Sequence, residues 1–166
     1  IPNTVNRACY AAAELGVSIV NVHALGGMEM MIAAKEGVSS SKGNTKIIAV
    51  TILTSHNQKN LQEIGITQSI EEQISKLALT AAKSGLDGIV CSALDIKSIR
   101  HLLPENFLFV TPGIRLEKIA TDDQKRISSP QGAIESGSDI LIIGRPITSS
   151  KDPEKRLHDI IEDIKN

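Results

Sequence analysis

Five apolar runs of strand length punctuate the chain, at residues 17–22, 47–53, 88–92, 108–111 and 139–143. They are rich in β-branched residues and lack a polar alternate, as expected of strands buried on both faces of a parallel sheet. Between them the period lengthens. Ile70, Ile74, Leu77, Ala78 and Ala81 share one helical face, and so do Leu157, Ile160, Ile161 and Ile164. Start and stop signals frame these segments. Ser69-Ile70-Glu71-Glu72 is a capping-box pattern. Ser129-Pro130 and Asp152-Pro153 place proline in the first helical position, while Gly16, Gly85 and Gly137 follow apolar runs as stops. The remaining helices are predicted at 5–15, capped by Asn3 or Thr4; at 28–36, ended by Gly37; at 56–64; and through 103 from a cap at Asp95. Residues 38–46 are polar and Ser-rich, a surface loop.

Strands and helices therefore alternate strictly, and no tight hairpin signal separates any two strands. Two α/β architectures fit, a doubly wound open sheet and a (β/α)8 TIM barrel. No G-x-G-x-x-G follows the first strand, which weakens the dinucleotide-binding version. The barrel is preferred because of a phosphate-suited cluster at its last two strands, described next. At 166 residues the chain is short for a complete barrel, which takes about 200 or more. It also begins at Ile1-Pro2-Asn3-Thr4 with no Met. The expectation is one domain, 1–166, supplying about five β/α units, strands 4–8 of the eight. No internal repeat is evident beyond the alternation itself.

Two of the strand-like runs lead into a glycine and an arginine: Pro112-Gly113-Ile114-Arg115 and Gly144-Arg145. In a parallel sheet both arginines reach the same rim. Guanidinium is a planar, permanently charged fork suited to phosphate, and glycine admits backbone N–H groups close to an anion. Gln124 lies in the polar connection 116–128, and a connection that long suggests a lid. Thr54 and Ser55 follow another strand at that rim, where they can meet a polar ring edge or cap the next helix. His23 ends the first run and reads as a structural hydrogen-bonder before a general base. No lysine or carboxylate ends any strand, and no His or Cys spacing suggests a metal.

Composition narrows the class. Lys and Arg number 18 against 19 Asp and Glu, a net charge of −1, which argues against a nucleic-acid partner. No run is long enough to span a membrane. Cys9 and Cys91 form no CxxC, so free buried thiols in a reducing cytoplasm are expected.

Taken together, Ile1-Pro2-Asn3-Thr4, residues 20–24 with Gly26-Gly27, residues 50–55, 85–92 and 110–115, Asp123-Gln124, and Ile143-Gly144-Arg145-Pro146 resemble orotidine 5′-phosphate decarboxylases of the bacterial type along essentially the whole chain. The resemblance implies a homodimeric (β/α)8 barrel in the cytoplasm. It implies conversion of orotidine 5′-monophosphate to uridine 5′-monophosphate and carbon dioxide, with neither metal nor organic cofactor. It implies that Arg115, Gln124, Gly144 and Arg145 hold the phosphate. Thr54 would then meet the pyrimidine, and Pro112 would lie at the same end. Ile1 and Thr4 would contribute across the dimer interface. The family's acid–base network uses an Asp-x-Lys-x-x-Asp motif that precedes Ile-Pro-Asn-Thr. Since this sequence starts after it, the resemblance implies a C-terminal portion without catalytic residues, inactive alone. The alternatives are another phosphate-binding barrel enzyme, such as a sugar-phosphate decarboxylase or epimerase, and a half-barrel that only binds nucleotide.

Overall fold

The computed structural model describes residues 1–116 and 124–165. Among them five strands form one sheet: β1 (Ile19–His23), β2 (Lys46–Val50), β3 (Gly88–Val90), β4 (Leu108–Thr111) and β5 (Ile140–Leu141). Their order in space is β1-β2-β3-β4-β5, every pair parallel. This order decides between the two architectures. A doubly wound sheet reverses direction at a switch point. Here every crossover advances the same way, and right-handed crossovers then place all helices on one face. The sheet is an arc of a (β/α)8 barrel wall.

The helices are α1 (Pro2–Glu14), α2 (Met28–Ser39), α3 (Gln58–Glu63), α4 (Ile70–Lys83), α5 (Ala93–Ile99), α6 (Pro130–Glu135), α7 (Arg145–Thr148) and α8 (Pro153–Lys165). The core lies between them and the sheet. Val20 and Val22 of β1, Ile47 and Ala49 of β2, Ile89 of β3 and Phe109 of β4 pack into it with Met31, Ile74 and Ile96. Alternate strand residues face the concave side, where Asn21 and His23 are exposed.

Several local expectations need correction. Pro2 itself occupies the first turn of α1 and Ile1 is the N-cap, so Asn3 and Thr4 sit inside the helix rather than capping it. Gly37 does not end α2; it is buried within it. A Cβ at Gly37 would stand 2.2 Å from the Asn6 carbonyl oxygen, so glycine is what lets α1 and α2 cross so closely. Asp95 is not the cap of α5. Ser92 is, and Asp95 is its partner three residues on, in a capping box. The cap of α3 is Asn57, not Thr54 or Ser55. Arg145 begins a short helix, α7, that the sequence pattern did not reveal.

A repeat also emerges at the rim where the strands begin. The Asp87 carboxylate accepts from the Ile47 N–H at 2.8 Å, while the Asp87 N–H donates to Ile47 O at 2.8 Å. Asp139 does the same to Phe109, at 2.8 and 2.9 Å. Each aspartate thus closes the ladder to the preceding strand with its own side chain. Lys35 pairs with Asp87 at 3.0 Å, and Arg100 lies 3.9 Å from Asp139 with its guanidinium stacked over Phe109. These carboxylates serve strand pairing, at the end of the sheet away from the candidate site.

Candidate functional site

β4 and β5 run side by side, with Thr111 opposite Leu141. The chain therefore leaves both at one rim. After β4, Pro112 is half-buried and Gly113 turns with φ 76°. A Cβ on Gly113 would meet the Arg126 carbonyl oxygen at 2.8 Å and the Thr54 side chain at 3.5 Å. The turn is thus pressed against the end of β2 and the far side of its own loop.

That loop has a closed base. Ile114 and Ser128 form a parallel bridge. The Ser128 N–H donates to Gly113 O at 3.2 Å, and the Arg115 N–H to Ser128 O at 2.9 Å. Arg115 stands on one foot of the connection, half-buried, with Nη1 donating to Ile114 O at 2.9 Å. Gln124 stands on the other. Residues 117–123, which include the acidic residues Glu117, Asp122 and Asp123, lie outside the described residues, so the lid expectation falls there.

Thr54 ties the second foot down. Its hydroxyl donates to the Gln124 Oε1. Its carbonyl accepts from the N–H groups of Lys125 and Arg126 at 3.0 and 3.1 Å. The Lys125 ammonium reaches Asn60 Oδ1 at 2.8 Å, at the start of α3. Three consecutive loop residues are therefore bolted to the connection after β2. A Gln124 oxygen engaged by Thr54 leaves the carboxamide as a donor, the polarity an oxyanion requires.

Gly144 and Arg145 follow β5 at the same rim. Both are exposed, and a Cβ on Gly144 would meet no atom within 4 Å. Ile1, the N-cap of α1, and Thr4, in its first turn, are exposed. Because α1 leads back to the start of β1, that turn also lies toward the rim where strands end. Thr54 and Gln124 are thus in direct contact, Arg115 shares their loop base, and Gly144 and Arg145 stand on the adjacent strand end. His23 ends β1, exposed on the concave face.

One pair was missed. The Arg126 Nη1 donates to both oxygens of Asp95, at 2.8 and 2.7 Å, and Nη2 donates to Ile52 O at 2.9 Å. The two side chains are only 12% and 8% exposed, so solvent screens the pair little. Asp95 also accepts from the Ser92 N–H at 3.0 Å. Burial pushes the Asp95 carboxyl above the usual carboxylate range; Arg126 and the Ser92 amide pull it back only in part. In sequence, Lys125 and Arg126 read only as part of the polar connection 116–128, and Asp95 as a cap. Among the described residues, no group of three His, Cys, Asp or Glu side chains is gathered as metal ligands.

The arc of parallel barrel carries basic and amide side chains at its strand-end rim, where β/α-barrel proteins frequently bind phosphate. Comparison with known proteins narrows the class. Residues 1–160 match the family described as Orotidine 5′-phosphate decarboxylase / HUMPS family. The chain is 48% identical over 165 residues to the orotidine 5′-phosphate decarboxylase of Legionella pneumophila (strain Lens), covering 99% of this chain and 72% of that protein. It is 53% identical over 153 residues to that of Nitrosomonas europaea, covering 92% of this chain and 65% of that protein. The crystal structure of the Lactobacillus acidophilus orotidine 5′-phosphate decarboxylase superposes with a TM-score of 0.83 at 36% identity, over 100% of this chain and 71% of that one. The chain belongs to the orotidine 5′-phosphate decarboxylase / HUMPS family.

Proposed function

We propose that the complete protein carrying this chain decarboxylates orotidine 5′-monophosphate to uridine 5′-monophosphate, and that this chain supplies its phosphate grip. The carbon–carbon bond to the carboxylate breaks, carbon dioxide leaves, and the electron pair stays on the ring carbon, which then takes a proton. Arg115, Gln124, Gly144 and Arg145 hold the phosphate. Thr54 meets the pyrimidine; with its hydroxyl on Gln124, the ring contact falls to its backbone N–H. Pro112 lies along the same end. Ile1 and Thr4 reach the substrate of a second protomer in a homodimer.

The observation that carries this reading is the closed loop base after β4, the neighbour of β5, with Arg115 on one foot and Gln124, bonded to Thr54, on the other. Two guanidiniums and a carboxamide on a dianion each add a charge-assisted hydrogen bond, roughly 1.5–3 kcal/mol apiece. Binding energy from a group remote from the reacting carbon can be spent on the transition state. Among the described residues, neither a lysine nor a carboxylate ends a strand. By itself the chain should bind nucleotide and release no carbon dioxide.

The test is carbon dioxide release from orotidine 5′-monophosphate by the complete protein, with and without a chelator. Release that survives chelation supports the proposal. Absence of release, or turnover only with added divalent metal, favours another phosphate-gripping barrel activity.

A further inference from the structure

The buried Asp95–Arg126 pair has no part in the proposed chemistry, yet it joins three connections at the rim. Asp95 comes from the start of α5, Ile52 O from the segment after β2, and Arg126 from the loop after β4. The Ser92 hydroxyl adds a bond to Arg126 O at 3.4 Å. We propose that Asp95 and Arg126 are positioning residues that hold residues 124–128 at the rim, so that the Gln124 carboxamide is set against Thr54 as a phosphate donor. This rests on the phosphate-grip reading above.

The energetics favour a positioning role over a stabilising one. Taking both charges out of water costs several kcal/mol per ion, and a buried pair repays this only when every polar atom is satisfied. Here the Arg126 Nε is buried without a hydrogen-bond partner among the described residues. What the pair does supply is geometry. A guanidinium gripped at both carboxylate oxygens and at Ile52 O has one orientation, and the Arg126 backbone N–H donates to Thr54 O, two residues from Gln124. Displacing a positioning group by 1 Å can cost on the order of 10²-fold.

The experiment measures affinity for uridine 5′-monophosphate in the complete protein. Asp95→Asn keeps the acceptor for the Ser92 N–H and removes the charge. The expected result is affinity weakened roughly tenfold or more, with the loss vanishing when Gln124→Ala is already present and persisting beside Arg145→Ala. Removing one partner of a buried pair can unfold a protein, so Asp95→Asn/Arg126→Met is made alongside. It should melt no lower than the Asp95→Asn variant and still bind as weakly. Equal losses in the Gln124→Ala and Arg145→Ala backgrounds, or no loss in a folded variant, overturn the proposal and leave the functional reading intact. A parent protein that binds no uridine 5′-monophosphate overturns the functional reading instead.

Discussion

Arg126 Nη1 lies 2.7 Å from Asp95 Oδ2, in a pocket that admits almost no solvent. The two residues are 31 apart in sequence and belong to different β/α units. Their contact joins the loop after β4 to the helix after β3, and Thr54 extends the linkage to the unit before. Three consecutive strand ends are therefore held in register by side chains at the rim, as the strand beginnings are by Asp87 and Asp139.

The pair gives a pH signature. The Asp95 carboxyl titrates above its ordinary range because it is buried; Arg126 and the Ser92 amide lower it, while Glu71 raises it slightly. Between the ordinary value and the raised one, the folded chain holds a proton that the unfolded chain has lost. The contribution of Asp95 to stability therefore falls as pH rises through the raised value. Acid should loosen the hold on Arg126 without unfolding the protein through this group. Affinity for uridine 5′-monophosphate should weaken on acidification more in the parent than in Asp95→Asn. The ligand phosphate itself takes a proton near about pH 6, so the difference between the two proteins, by calorimetric titration, is the quantity to read.

Gly144→Ala should separate binding from folding. The added Cβ meets nothing within 4 Å, so the melting temperature should hold within about 2 °C. If a phosphate approaches that backbone closely, affinity for uridine 5′-monophosphate should drop roughly tenfold or more. Unchanged affinity would place the phosphate elsewhere.

Gly37→Ala should do the reverse. Alanine gains about 1 kcal/mol of helix propensity over glycine. Against this, its Cβ would overlap the Asn6 carbonyl oxygen, a backbone atom that can yield only if α1 moves away from α2. Overpacking of this kind costs typically ~1–3 kcal/mol, so the clash should win. Thermal unfolding of the complete protein should show a lower midpoint.

Cys9 and Cys91 are buried, 3% and 1% exposed, and burial pushes both thiols up. Neither should react with an aromatic disulfide reagent at pH 8 until the protein opens. Modification followed by absorbance should track denaturant-induced unfolding, and prompt labelling of either thiol in the native protein would contradict this packing.

Much of the fold was legible because periodicity and punctuation agree. The capping box at Ser69 and the proline starts at Ser129 and Asp152 stand where the pattern placed them. What escaped was tertiary. Gly37 looks like a helix stop, and only the crossing of α1 shows why glycine is needed inside the helix. Asp87 and Asp139 each precede a strand, but their bonds to Ile47 and Phe109 depend on strand neighbours that one chain pattern does not specify. At the candidate site, the placement of Arg115 and Arg145 after β4 and β5 was legible from the strand pattern. Arg126 was not, because its burial depends on Asp95 and Ile52 arriving from two other units.

The most direct measurement is kcat/KM for orotidine 5′-monophosphate in the complete protein with Arg115→Ala and with Arg145→Ala. Loss of one charge-assisted contact to a phosphate predicts a fall of roughly 10- to 100-fold for each. Values equal to the parent's for both variants, in folded protein, would mean that this rim does not grip the phosphate.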